Sequence, residues 1–320
     1  MRLEAFLVDL IPFLVVTILY IVIAMLCVKW LIAFALRKVG MLAGAPRAKR
    51  SKPRQVAKIS VVGCGIAGLL MIGWSFIEPY FPVTETVRVQ SSKITGPVRI
   101  VQISDLHCDP KQRAGQKVVS IIASLKPEMI VFTGDGVNSD EGIPLFKKTM
   151  KSLSKIAPLF GVRGNWEAWW FTHIDTFKGT GLIELNGTAR PVRVAGQTIW
   201  IGGVAVDEEQ KLDSMLTQMP KDAFRIILHH FPAASTLVDG RADLLLSGDT
   251  HDGQLKLPVI GPLIRIRRWG TPFYESGIHH TAAGLDFYVN RGIGMEGHHV
   301  PRVRFNCPPE IALIELSPKI

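Results

Sequence analysis

From residue 98 onward, five short apolar runs each end in a turn that carries Asp, His or Asn. The run 100–103 is followed by Ser104-Asp105-Leu106-His107, and 128–132 by Thr133-Gly134-Asp135-Gly136-Val137-Asn138. The run near 159–162 passes into Arg163-Gly164-Asn165-Trp166-Glu167, that at 225–228 into His229-His230-Phe231-Pro232, and that at 242–246 into Ser247-Gly248-Asp249-Thr250-His251. Short apolar runs bounded by turn formers read as buried strands. Helical patterns over 116–125 and 143–156 alternate with them, which specifies an α/β domain. In open α/β sheets ligands bind beyond the carboxyl ends of strands, so the five turns are expected to converge on one site. Strand side chains alternate with period two, which places Asp105 and His107 on one face.

Charge separates the chain into two parts. The net charge is +10, yet residues 1–93 carry 12 Lys+Arg against 4 Asp+Glu, and the remainder is nearly balanced. A basic front on a neutral body argues against nucleic acid as the partner. Residues 5–36 form a long apolar stretch, 37–58 a basic run without acids, and 59–77 a second apolar stretch. This pattern predicts a membrane anchor over 1–93, with spans at about 5–36 and 59–77 and a cytoplasmic loop at 37–58. The domain over 94–320 is then expected outside the cytoplasm, beside the inner or plasma membrane, or inside it if the second stretch does not cross. Gly63, Gly65 and Gly68 match a dinucleotide fingerprint, with Glu85 downstream. The apolar run after Gly68 lacks the amphipathic helix that motif requires. Four scattered cysteines specify neither a disulfide framework nor a thiolate metal site. All nine histidines follow residue 106.

His, Asp and Asn together are ligands for a hard or borderline divalent cation. The order Asp-x-His, Gly-Asp, Gly-Asn, His, Gly-x-Thr-His resembles that of the calcineurin-like metallophosphoesterases over about residues 95–320. Arg291-Gly292-Ile293-Gly294 and the segment from Arg304 to Glu310 resemble the membrane-associated bacterial branch of that family. The resemblance implies a four-layer α/β/β/α sandwich, here expected after two transmembrane helices, and two metal ions bridged by one carboxylate. Carried over, it implies Asp105, His107 and His251 at the first metal, Asp135 as the bridge, and Asn165 and His230 at the second. Paired cations activate water, orient a phosphoryl group for in-line attack and neutralise the leaving oxygen.

Two positions depart from the family pattern. Trp166 stands where the family has a His that serves the leaving group, and Trp cannot donate a proton as a general acid. Asp249 stands where the family has a metal-binding His. It is expected to coordinate and to shift preference towards Mn²⁺ over Fe or Zn. His229 or His173 is expected to replace the missing acid, or the leaving group is acidic enough to need none. His279, His280, His298 and His299 are candidates for the rim, Arg163 and Arg291 for substrate phosphate, and Trp166, Trp169 and Trp170 for an apolar groove. The run 263–269 mixes apolar and basic residues and reads as an exposed strand or a membrane-facing segment. The resulting expectation is a membrane-anchored dinuclear phosphohydrolase of a lipid-linked phosphoester or pyrophosphate, with Asp135, Asn165 and His229 as catalytic groups. The alternatives are a UDP-2,3-diacylglucosamine pyrophosphatase and a metal-binding module impaired in catalysis.

Overall fold

The computed structural model describes residues 22, 25, 29, 52–110, 115–296 and 302–319. Two compact units divide the chain, one over 1–77 with 297–302 and one over 78–296 with 303–320. The first contains helix α1 (Lys52–Ile77).

The second unit is built on two six-stranded sheets. In chain order its strands are β1 (Val83–Ser91), β2 (Val98–Ile103), β3 (Met129–Phe132), β4 (Leu159–Gly161), β5 (Ile183–Glu184), β6 (Thr188–Val194) and β7 (Gln197–Gly203). They continue with β8 (Arg225–Leu228), β9 (Leu244–Ser247), the short hairpin β10 (Lys256–Leu257) and β11 (Gly261–Pro262), β12 (Gly277–His280), β13 (Asp286–Val289) and β14 (Glu310–Pro318). One sheet has the order β1-β14-β2-β3-β4-β5 and the other β12-β13-β9-β8-β7-β6. Helices α2 (Gly115–Leu125) and α3 (Ile143–Leu153) precede and follow β3, and α4 (Leu212–Thr217) and α5 (Ser235–Val238) flank β8.

Alternation along the strands builds the layers. Ile100, Met129 and Val131 face a core shared with Ile226, Leu228, Leu244 and Leu246 of the second sheet. Their neighbours Val101, Ile103, Ile130 and Phe132 face the other way, onto Val118 and Ile122 of α2 and Phe146 and Met150 of α3. On the far side, Ile227, Leu245 and Phe287 pack on Leu212, Met215 and Leu216 of α4 and on Val238 of α5. These are the four layers α/β/β/α. Each fully buried aliphatic or aromatic side chain here contributes roughly 1.5–3 kcal/mol. The sheets are mixed: β2, β3, β4 and β5 are parallel, whereas β14 runs antiparallel to β2 and parallel to β1. The compact unit starts at Glu78, so β1 precedes the boundary placed at residue 94 from sequence.

The expected membrane placement is corrected by the described helices. Among the described residues no helix is long and apolar enough to cross a membrane. Helix α1 takes in the stretch expected as the second span and begins with Lys52, Arg54 and Lys58. The expectation of an inner- or plasma-membrane protein with an extracytoplasmic domain therefore fails. The stretch expected as the first span, apart from Val22, Met25 and Lys29, lies outside the described residues.

Candidate metal centre

The five turns do meet, and the local backbone differs from the strand geometry that spacing alone suggested. Strand β2 stops at Ile103; Asp105 (φ 49°) and His107 (φ 39°) lie in the left-handed region, as do Asp135 (φ 59°), Asp249 (φ 69°) and His251 (φ 49°). Such a conformation costs a non-glycine residue on the order of 1–2 kcal/mol, and it concentrates where side chains are aimed for function. Hydrogen bonds between turns hold it. Asp105 N donates to Gly134 O (2.9 Å), His107 N to Asp135 O (3.1 Å) and Cys108 N to Gly136 O (2.8 Å). Across the sheets, the Gln102 amide donates to Ser247 O at 2.9 Å, tying the end of β2 to the end of β9. A Cβ at Gly248 would collide with Ser104 Oγ and Asp105 Oδ2, so only glycine lets the β9 turn approach this closely.

Two groups of ligand atoms result, each within 4.8 Å: Asp105 with His107 and His251, and Asp105 with Asp135 and His230. All are buried. His107 Nε2 and His251 Nε2 stand 3.1 Å apart, and His251 Nε2 is 3.4 Å from Asp105 Oδ1. His230 Nδ1 donates to Thr133 O (2.7 Å), which turns Nε2 toward Asp135 Oδ2 at 3.2 Å. That same Oδ2 is 3.7 Å from His107 Nε2. Asp105 thus belongs to both groups, while Asp135 touches an imidazole from each. Asn165 Oδ1 is buried with no hydrogen-bond partner.

Electrostatics follow from burial and crowding. Burial, against the opposing charge of His230, raises Asp105 above the usual carboxylate range. Burial also works against the Asp135 carboxylate, but His230 and His107 outweigh it and hold Asp135 low. Burial, with His107 and Arg304, pushes His251 well below the usual imidazole range, leaving it neutral as a metal ligand must be. Burial opposes charge on His230 too, yet Asp135, Asp105 and Asp249 bring it to about 10. Crowded carboxylates, facing ring nitrogens and an orphaned amide oxygen form a donor set that fits divalent cations.

The remaining candidates are distributed as follows. Asp249 lies outside both groups: Arg268 donates to its two oxygens at 2.7–3.3 Å, and its own backbone N–H reaches Asp105 Oδ1 at 3.3 Å. Both ring nitrogens of His229 are engaged, Nδ1 accepting from Phe231 N (3.0 Å) and Nε2 facing Glu209 Oε1 (3.1 Å). His173 is exposed and pairs with Asp140. Trp166 is buried, edge-on to His107 and stacked on Phe171. Trp169 and Trp170 are about half exposed, and the Trp169 indole donates to Asp207. Arg163 is held by Glu184 and Asp175, and Arg291 by Glu310 and Glu85. His279 and His280 line a separate pocket with Asp239 and Tyr274, and His298 and His299 lie outside the described residues.

Three residues escaped the sequence reading. Buried Glu167 accepts backbone N–H groups from Asp135, Gly136 and Gly164 at 2.6–3.0 Å, cradling the turn that presents Asp135. The Glu after Gly-Asn-Trp was the available signal. Arg268 belongs to the run 263–269, which past the β11 hairpin is irregular and forms no strand. Glu296 is brought up to about 7 by burial and by the charges of Asp135 and Asp249.

The sequence profile of the calcineurin-like phosphoesterases matches residues 98–253. The uncharacterised metallophosphoesterase YkuE of Bacillus subtilis is 30% identical over 300 residues, covering 84% of this chain and 99% of that protein. The phosphodiesterase YaeI of Escherichia coli is 26% identical over 240 residues, covering 69% and 82%. A solved dimetal phosphatase from Danio rerio is 11% identical, with a TM-score of 0.39, over 64% of this chain and 91% of that one. The chain belongs to the calcineurin-like metallophosphoesterase family and is a metal-dependent phosphoester hydrolase.

Proposed function

We propose that the chain is a dinuclear phosphohydrolase whose substrate has an acidic leaving group, such as a phosphoanhydride or an activated phosphodiester. Asp105, His107 and His251 would hold one divalent ion, and Asp135, Asn165 and His230 the other, with the Asp105 carboxylate within reach of both. The oxygen-rich second set favours Mn²⁺ over Fe²⁺ or Zn²⁺. The observation that carries this reading is the pair of ligand groups sharing one carboxylate, with Asp135 between an imidazole of each. When bound, the two ions supply Lewis acidity for in-line displacement at phosphorus. The chain's own residues fix separation and orientation. Thr133 O holds the His230 ring, the Trp166 N–H donates to Asp135 Oδ1 at 2.9 Å, and Glu167 anchors the backbone beneath.

The leaving-group preference follows from what stands beside the cluster. Trp166 presents an indole where an acid would be, and His229 is committed to Glu209. The half-exposed indoles of Trp169 and Trp170 support an apolar portion in the substrate, within which a lipid-linked phosphoester falls. The test is Asp135→Ala. Metal content and turnover of a chromogenic phosphodiester should both collapse, by about 10³-fold or more in turnover. Wild-type protein that holds metal yet cleaves no phosphoester or phosphoanhydride would favour a catalytically impaired binding module.

A further inference from the structure

The geometry points to Arg268 as a phosphate-binding residue at the second-metal side of the centre, with Asp249 as its positioning residue in place of a metal ligand. This rests on the two-metal reading above. Asp249 occupies the turn after β9, where a metal-binding side chain was expected. Its carboxylate instead receives a fork: Nη2 of Arg268 donates to Oδ1 at 2.7 Å, and Nε to Oδ2 at 3.1 Å. A cation drawn to Asp249 would meet a fixed guanidinium charge sharing the same oxygens, and like charges so close repel strongly in a buried setting.

The fork also aims the guanidinium. Its carbon lies 4.6 Å from the ring centre of Phe231 and 5.7 Å from that of Trp169, so aromatic faces and a carboxylate fix its plane. Phe231 directly follows His230, and Asp249 Oδ1 is 3.7 Å from His230 Nε2, which places Arg268 beside the second ligand group. A guanidinium carries five N–H donors, and the fork uses only the Nε and Nη2 edge. The Nη1 edge is left for the oxygens of a tetrahedral oxyanion, a geometry arginine matches in pairs of parallel bonds. Arg163 and Arg291, the arginines first expected in this role, are each held between two carboxylates. Arg268 has one, and its side chain is 27% exposed.

The test uses the full chain loaded with Mn²⁺, inorganic phosphate as the probe, and the variants Arg268→Ala and Asp249→Asn. Metal content is read by mass spectrometry and phosphate binding by titration calorimetry. Both variants should keep the wild-type metal content and lose phosphate affinity by about tenfold or more, the effect of losing charge-assisted hydrogen bonds. In turnover, KM should rise more than kcat falls. Added guanidinium ion should restore part of the affinity of Arg268→Ala, which a folding defect would not permit. Loss of a metal equivalent in Asp249→Asn, or unchanged phosphate affinity in Arg268→Ala, would overturn the assignment while leaving the two-metal reading standing. Wild-type protein that takes up no Mn²⁺ would remove both.

Discussion

His230 is charged in the metal-free protein because its partners are carboxylates, even though burial disfavours the charge. Its folded value of about 10 means that it carries a proton at neutral pH, and burial makes Asp105 retain one more readily than an ordinary carboxyl. Both groups must give up that proton to serve as ligands. Metal uptake should therefore release protons, and affinity for Mn²⁺ should climb as pH rises toward the folded value of His230. Calorimetry in buffers of different ionisation heat reads the release directly; an affinity flat between pH 6 and 9 would show that the ligands are already deprotonated. At this scale the sequence was informative about identity. Asp105, His107, Asp135, Asn165, His230 and His251 could be picked out by their place after apolar runs. Arg268 could not, because its partner lies 19 residues away and no periodicity links an irregular segment to a turn.

Among the elements, the short turn Trp166–Trp170 that follows Asn165 does more than connect β4 to β5. Its Glu167 carboxylate accepts three buried N–H groups from the two turns that present Asp135 and Asn165. Removing that acceptor strands three donors, each costing about 1–3 kcal/mol when buried without a partner. Glu167→Ala should lower stability by about 3 kcal/mol or more in denaturant unfolding, and Glu167→Gln, which keeps one oxygen, by less. Mn²⁺ affinity in Glu167→Gln should fall about 10- to 100-fold, as for residues that orient metal ligands from behind. Undiminished affinity would mean that the turn is held by other contacts. Strands buried along all or most of their length were legible from their apolar runs: β8 falls on the residues expected and β3 differs by one residue at its start, as does helix α2. Strand β1 was not, since only Val87 and Val89 are buried along an otherwise partly or fully exposed edge, and its position after an apolar stretch hid it.

At the scale of the whole domain, the site depends on a strand that contributes no ligand. Strand β14 is inserted between β1 and β2, pairing with β1 from Val83 to Ser91 and with β2 from Val98 to Gln102. Its first residue, buried Glu310, accepts from the Tyr288 hydroxyl and from Arg291, so it also fastens the loop after β13, whose Gly294 N–H donates to Asp105 O at 2.7 Å. The chain's last strand therefore closes the sheet that its first metal turn leaves. Ile311, Leu313, Ile314 and Leu316 are buried along it. At roughly 1.5–3 kcal/mol each they contribute on the order of 6–12 kcal/mol, comparable to the roughly 5–15 kcal/mol that holds a domain folded. Truncation before Glu310 keeps every candidate ligand yet should abolish cooperative unfolding and metal uptake together. Circular dichroism melts and metal analysis of the truncated chain are the measurement. A truncated protein that still melted cooperatively and bound metal would show that β1 and β2 pair without β14 and that the turns assemble by their own hydrogen bonds. Leu313→Ala gives the graded version, with an expected loss of about 2–5 kcal/mol and the metal content of the folded fraction unchanged.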